Sequence, residues 1–283
     1  MHTQISTQNF ACVIGDNAEA DDHRAGYNGV WSLIPSGKSS SLFVPGVAGL
    51  NLEHYFDGWS NATREIRFEP RQVPMTMEQP AENVIRLTQA ETPIWGVESV
   101  TTFTVREPDV IDMEFECTPR RQVFRNRTLG VFWASYIHAP EDNAIRFLGR
   151  RPRQRNDAWQ ALASPAHGVA SSVRGPDDDF ALEIGPEAEG ALYSDLAPPR
   201  WSEPWYYGRW QDWAYVVAIR TERLLRFSMS PTGGGEGNAA WDFHMLAPEM
   251  RIGETYRLAA RCIVTPWRDV DYLAARARAW LRF

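Results

Sequence analysis

The sequence predicts an all-β protein, a large antiparallel β-sandwich closed by a single C-terminal helix. Three observations carry that expectation. Short apolar runs recur between Gly, Pro, Asn and Asp turns along the whole chain. In one of them Ile111, Met113, Phe115 and Cys117 alternate with Asp112, Glu114 and Glu116, the period-two pattern of a half-buried strand. Only the tail, residues 269–283, has helical spacing, with Asp269 as its cap and Tyr272, Leu273, Ala279, Trp280 and Phe283 as an apolar stripe.

Taken in order, residues 28–34, 41–44, 64–68 and 83–87 read as strands. The segment Val97–Cys117 reads as a hairpin turning at Glu107, Pro108 and Asp109. Further strands are expected at residues 129–138, 144–148, 180–184, 212–220, 223–229, 241–246 and 255–264. No repeat and no Ser/Gly linker divides the chain, so residues 1–283 are expected to form one sandwich domain.

Composition narrows the function. A net charge of −7 argues against a nucleic-acid partner and against an anionic membrane surface. No run approaches the roughly 18 apolar residues of a membrane span. The first residues lack a basic and then apolar leader, which points to a cytoplasmic protein. Cys12, Cys117 and Cys262 are few, scattered and free of any C-x-x-C pairing, so buried thiols are expected. Lys38 is the only lysine among 29 basic side chains, which leaves Schiff-base chemistry almost no candidate.

Several motifs fail. Ser36-Gly37-Lys38-Ser39 resembles the end of a phosphate-binding loop, but Ser32 stands where its first glycine belongs. The run Gly233–Gly237 misses a dinucleotide fingerprint at Asn238. Asp177, Asp178 and Asp179 lack calcium-loop spacing. No cofactor and no metal is called for, and His2, His23 and His167 read as surface residues.

Four constellations bear chemistry. Residues 49–58 place Glu53, Tyr55 and Asp57 on one face of an extended run and His54 on the other. Residues 133–143 put Tyr136 and His138 on one strand face ahead of a Pro-Glu-Asp turn. Residues 201–215 hold seven aromatics, among them Trp205, Tyr207 and Trp210, with Glu203 and Arg209 between them. Aromatic rings raise the pKa of an isolated carboxyl and offer flat faces to sugar rings. Lastly, Trp241 leads into Asp242 and His244, which share a strand face beside a glycine-rich loop.

The strand array, the Val97–Cys117 hairpin and the Trp-rich second half resemble the galactose-mutarotase-like supersandwich. That fold recurs in aldose epimerases, glycoside hydrolase domains and polysaccharide lyases. Residues 42–58, 132–145, 202–210 and 230–243 also resemble bacterial proteins of no assigned activity. The resemblance implies a carbohydrate-active protein. The family's asparagine-histidine motif is not visible here, so catalytic roles rest on side-chain chemistry alone.

The resulting expectation is a carbohydrate-active enzyme cleaving a glycosidic bond, by hydrolysis or elimination, in an aromatic-lined groove. His138, His54 and Glu203 are its acid–base candidates, with Asp242 and His244 in reserve. Trp205, Tyr207, Trp210, Tyr136 and Trp241 would hold the sugar and Arg209 would orient a polar substituent. The alternatives are a sugar epimerase or mutarotase, a non-catalytic carbohydrate-binding protein, and an isomerase or cyclase acting on an apolar small molecule. Oligomeric state is left open.

Overall fold

The computed structural model describes residues 1–60 and 63–282. Strands β1 (His2–Ser6), β2 (Phe10–Gly15) and β3 (Gly29–Pro35) form a three-stranded antiparallel sheet. Next come β4 (Asn51–Phe56) and two single-turn helices, α1 (Arg64–Arg67) and α2 (Glu69–Gln72). Four strands then form an antiparallel ladder: β5 (Thr76–Ala81), β6 (Val84–Gln89), β7 (Val97–Arg106) and β8 (Val110–Pro119). The remaining strands are β9 (Leu129–Ala134), β10 (Ile145–Arg150), β11 (Ala158–Leu162), β12 (Ser172–Arg174), β13 (Leu196–Trp201) and β14 (Trp205–Trp210). They continue as β15 (Trp213–Arg220), β16 (Leu224–Ser230), β17 (Ala240–Ala247) and β18 (Tyr256–Pro266), before helix α3 (Val270–Leu281).

One hydrogen-bonded path runs β4-β9-β17-β16-β12-β13-β10-β14-β15-β18-β8-β7-β6-β5, with β11 beside β10. Every pairing is antiparallel except β12 with β13. The path folds back on itself as a sandwich. Phe115 of β8 meets Trp133 of β9 edge to face at 4.7 Å, and Tyr215 of β15 reaches Ser135 beyond β9 through a 3.0 Å hydroxyl contact. Between the layers lies the main core, which includes Trp133, Trp210, Tyr215, Phe227, Trp241 and Phe243. Cys12, Cys117 and Cys262 are free and buried, and burial pushes the Cys12 thiol up to about 12.

The hairpin of β7 and β8 follows the period-two pattern, with Arg106 opposite Val110 at the turn. Asp269 caps α3 by accepting the Tyr272 amide at 2.8 Å. Leu273, Ala274, Ala277 and Trp280 form its buried face, packed on Trp205, Ala214, Val216 and Ala218. Ala279, expected in that stripe, is exposed and Tyr272 is half-buried, while Phe283 lies outside the described residues.

Three expected strands are absent. Residues 64–67 are helical, because the Thr63 hydroxyl accepts the Ile66 amide and starts a turn. Residues 41–44 make only a Phe43–Ile137 bridge, since the Ser41 hydroxyl takes the Leu33 and Phe43 amides. Residues 180–184 stay irregular because the Phe180 carbonyl is held by Arg226 and its amide by Asp178.

Arg226 is itself a buried anchor. Its Nε and Nη2 meet the two Asp178 carboxylate oxygens at 2.6 and 3.0 Å, with both side chains excluded from water. Removing one member of such a pair strands the other charge, at a cost of about 3–5 kcal/mol. Arg226→Met is therefore expected to lower unfolding free energy by about that amount in urea titration, and Arg226→Met/Asp178→Leu to recover most of it.

Candidate functional site

Strand alternation turns one set of side chains toward the main core and the other outward. On β17, Trp241, Phe243 and Met245 enter the core, so Ala240, Asp242 and His244 face the other way. Phe132 of β9 and Ser228 and Ser230 of β16 share that outward face.

On β4 the alternation is broken. Leu52 pairs with Trp133 and His54 with the next residue, Phe132, so Glu53 is an extra residue in the strand. That bulge moves His54 off the face of Leu52 and turns both Glu53 and His54 outward, while Tyr55 returns to the core. The straight-strand expectation, with Glu53, Tyr55 and Asp57 on one face and His54 opposite, fails for this reason. Asp57 closes a loop instead, accepting the Trp59, Ser60 and Arg125 amides. The side chain of Asn28 grips the strand just before the bulge. Its Oδ1 accepts the Leu52 amide at 3.0 Å and its Nδ2 donates to the Leu52 carbonyl at 2.9 Å.

These faces enclose a cavity of about 350 Å³ lined by Glu53, His54, Arg71, Tyr136, His167 and Asp242, among others. Helix α2 roofs it. Glu69 accepts the Ile94 and Trp95 amides, and the amides of Asn17 and Gln89 hold the Pro70 and Val73 carbonyls. The roof thereby carries Arg71 over Glu53 at 3.1 Å and stacks its guanidinium on Tyr27 at 3.8 Å. Residues 189–193 close another side.

Two carboxyls in this cavity sit in opposite environments. Burial alone raises the Glu53 carboxyl, but His54, Arg71 and the Tyr136 hydroxyl outweigh it and hold it down to about 2. Tyr136 keeps its proton, because burial and the Glu53 charge both push its hydroxyl up, and donates it to Glu53 in a short hydrogen bond. Asp242 goes the other way. Burial, then repulsion from Glu53, raises it well above the carboxylate range against one 3.0 Å hydrogen bond from the Ser135 amide. Among the described residues its second oxygen has no hydrogen-bond partner. The cavity thus favours the ionised form of Glu53 and the protonated form of Asp242.

His54 completes the group. Its Nδ1 lies 2.6 Å from the Arg67 carbonyl, which only accepts, so Nδ1 bears hydrogen. Nε2 stands 3.4 Å from Glu53. His244 is buried beneath this floor and does not line the cavity. Its Nδ1 meets Ser228 at 3.0 Å, its ring stacks on Phe132, and burial holds its pKa well below the usual range.

Of the residues singled out from sequence, His54, Tyr136 and Asp242 are brought together here, with His244 one layer below. The others lie elsewhere. Glu203 binds Arg278 of α3 at 2.9 Å and Trp205 at 2.7 Å; burial is outweighed by those donors, so its carboxyl is lowered rather than raised. Trp205 and Tyr207 pack beneath α3, Trp210 and Trp241 fill the main core, and Arg209 lies over Trp267 at 4.6 Å. The Trp-rich stretch thus fills two packing layers. The His138 carbonyl accepts the Trp210 indole at 2.6 Å, and the imidazole lies outside the cavity. Sequence reasoning placed Glu53 in a constellation without choosing it, left Arg71 unmentioned and dismissed His167. Gly233, from the glycine-rich loop, does reach the lining.

No protein-family model matches the sequence, and no curated protein matches it. Solved structures do. A proposed aldose 1-epimerase from Escherichia coli K12 aligns with TM-score 0.50 at 9% identity, over 94% of this chain and 99% of its own. A galactose mutarotase-like protein from Lactobacillus casei aligns with TM-score 0.52 at 11% identity, over 93% and 100%. An alpha-N-acetylgalactosaminidase from Bifidobacterium bifidum aligns with TM-score 0.54 at 14% identity, over 99% of this chain and 39% of the longer enzyme. The chain has the galactose-mutarotase-like sandwich fold. Among the described residues no group of three or more His, Cys, Asp or Glu is placed to hold a metal, and no helix is long and apolar enough to cross a membrane.

The raised Asp242 carboxyl has a measurable sign. The folded state keeps a proton that the unfolded chain releases above about pH 4, so stability is full below that pH and falls as pH rises, by about 1.4 kcal/mol per unit of pKa difference. Asp242→Asn, which cannot ionise, is expected to match the unaltered protein near pH 4 and to exceed it in melting temperature at pH 7.5.

Proposed function

We propose that the chain is a carbohydrate-active enzyme that interconverts the anomers of a single sugar bound in the Glu53–Asp242 cavity. The observation that carries this reading is the pair of carboxyls lining one cavity in opposite environments, one favouring the ionised and the other the protonated form, the environment-split pairing from which acid and base roles follow. The fold, shared with a galactose mutarotase-like protein and with sugar-processing enzymes, supports a sugar as substrate. The cavity volume sits at the small end of ligand pockets and suits one ring rather than a polymer.

In this reading Asp242 donates its proton to the ring oxygen while the Glu53–His54 pair removes the proton of the anomeric hydroxyl. The ring C–O bond breaks and an open-chain aldehyde forms. The proton comes to rest on Nε2 of a His54 that is neutral before the transfer, and the Glu53 carboxylate 3.4 Å away stabilises the imidazolium so formed. Rotation of the aldehyde and reversal of both transfers close the ring as the other anomer, with atoms and charge restored. Both oxygens of Glu53 are already engaged, by Tyr136 and Arg71 on one side and His54 on the other, which favours this role over direct attack on carbon.

Glycosidic-bond hydrolysis is the second reading. Two carboxyls of opposite protonation state are also what hydrolysis requires, with Asp242 protonating a leaving oxygen.

Anomer exchange of D-galactose, D-glucose and N-acetyl-D-galactosamine, followed by NMR, tests the proposal. The protein is expected to accelerate exchange of at least one sugar over buffer. Asp242→Asn and Glu53→Gln are expected to lose about 100-fold or more, and Glu203→Gln and His138→Ala to stay within about twofold. Release of p-nitrophenol from the matching glycosides without anomer exchange would select hydrolysis. Sugar binding with neither activity would leave a non-catalytic binding protein.

A further inference from the structure

The cavity mouth holds one histidine that the acid–base scheme does not use. His167 is exposed, yet its position is built. The Ser164 hydroxyl cinches its loop, lying 2.6 Å from the Ala166 carbonyl, 2.5 Å from that of Val169 and 3.1 Å from the Ser171 hydroxyl. Gly168 has φ +77°, and a Cβ there would stand 2.2 Å from the Gly190 carbonyl oxygen. Only glycine lets this loop sit against the 189–193 segment that closes the cavity.

The ring is fixed through one nitrogen. Nδ1 lies 2.9 Å from the Ser230 hydroxyl, which also accepts the Thr232 amide at 3.3 Å. Ser230 is fully buried on the outward face of β16, so the imidazole is tied to a strand rather than to a loop tip. Among the described residues Nε2 has no hydrogen-bond partner. His167 shares the lining of the cavity with Glu53, His54 and Arg67.

We propose that His167 binds a hydroxyl group of the sugar at the cavity mouth through Nε2, with Ser230 as its positioning residue. The proposal rests on the reading of this cavity as a sugar site. The chemistry fits in either tautomer, because an imidazole nitrogen donates or accepts and a sugar hydroxyl does both. The role is in recognition, so its loss weakens binding of substrate more than it slows the proton transfers.

Calorimetric titration with D-galactose, D-glucose and N-acetyl-D-galactosamine, and with the monodeoxy analogues of whichever binds, provides the test. His167→Ala is expected to raise Kd about 10-fold and Ser230→Ala about threefold, with His167→Asn recovering part of the loss. One monodeoxy analogue is expected to bind the unaltered protein about 10-fold more weakly than its parent, and His167→Ala is expected not to distinguish the two. A merely structural role would not erase that one discrimination. Parent-sugar binding unchanged by His167→Ala, or full discrimination of every analogue by that variant, overturns the inference while leaving the sugar site standing. Failure of the unaltered protein to bind any of the three sugars overturns the underlying reading as well.

Discussion

The site depends on keeping one carboxylate ionised out of water. Desolvating an isolated charge is costly enough that an unassisted Glu53 would take up a proton. Arg71, Tyr136 and His54 prevent this, and each comes from a different part of the chain. Arg71 is delivered by a one-turn helix that has little stability of its own and stands because Glu69, Asn17 and Gln89 satisfy its ends. Tyr136 follows β9, and His54 is re-aimed by the bulge. The roof, the edge strand and its neighbour are thus coupled through a single charge.

The same charge sets the state of Asp242. In a low-dielectric enclosure, repulsion from Glu53 adds to burial, and both favour the protonated form of the nearby carboxyl. Asp242 needs only one amide contact, from Ser135, because a neutral carboxyl demands less solvation than a charged one. Beneath it, His244 joins Ser228, Ser172 and the Leu192 carbonyl in a chain of buried hydrogen bonds. That chain ties the strands of the floor to the segment that closes the cavity, just as Arg226 ties Asp178 and Phe180 to β16.

Much of the fold was legible in the sequence, and less of the site. The β7–β8 hairpin declared itself because its strands keep one face wet, so burial is written as alternation. Strand β14 did not. Trp205 and Tyr207 pack under α3 while Tyr206 and Trp210 enter the main core, so both faces are apolar and periodicity vanishes. Composition cannot separate rings that fill two layers from rings that line a groove, and the aromatic trough expected there dissolved for that reason. Asp242 and His244 were readable as a same-face pair because β17 is regular. Glu53 was not, because a bulge is a pairing event between distant strands and leaves no local mark on the sequence. Arg71 lacked any signal, since its role comes from the tertiary placement of a short helix.

The amide of Asn28 has a consequence beyond aiming the bulge. Strand β4 ends the long hydrogen-bonded path, and a terminal strand offers unpaired backbone to any passing chain. By occupying both the N–H and the C=O of Leu52, one side chain takes the place a foreign strand would need. The end of the long sheet is thus closed by a side chain of the same molecule, and β4 stays almost wholly buried although no strand of the path lies beyond it.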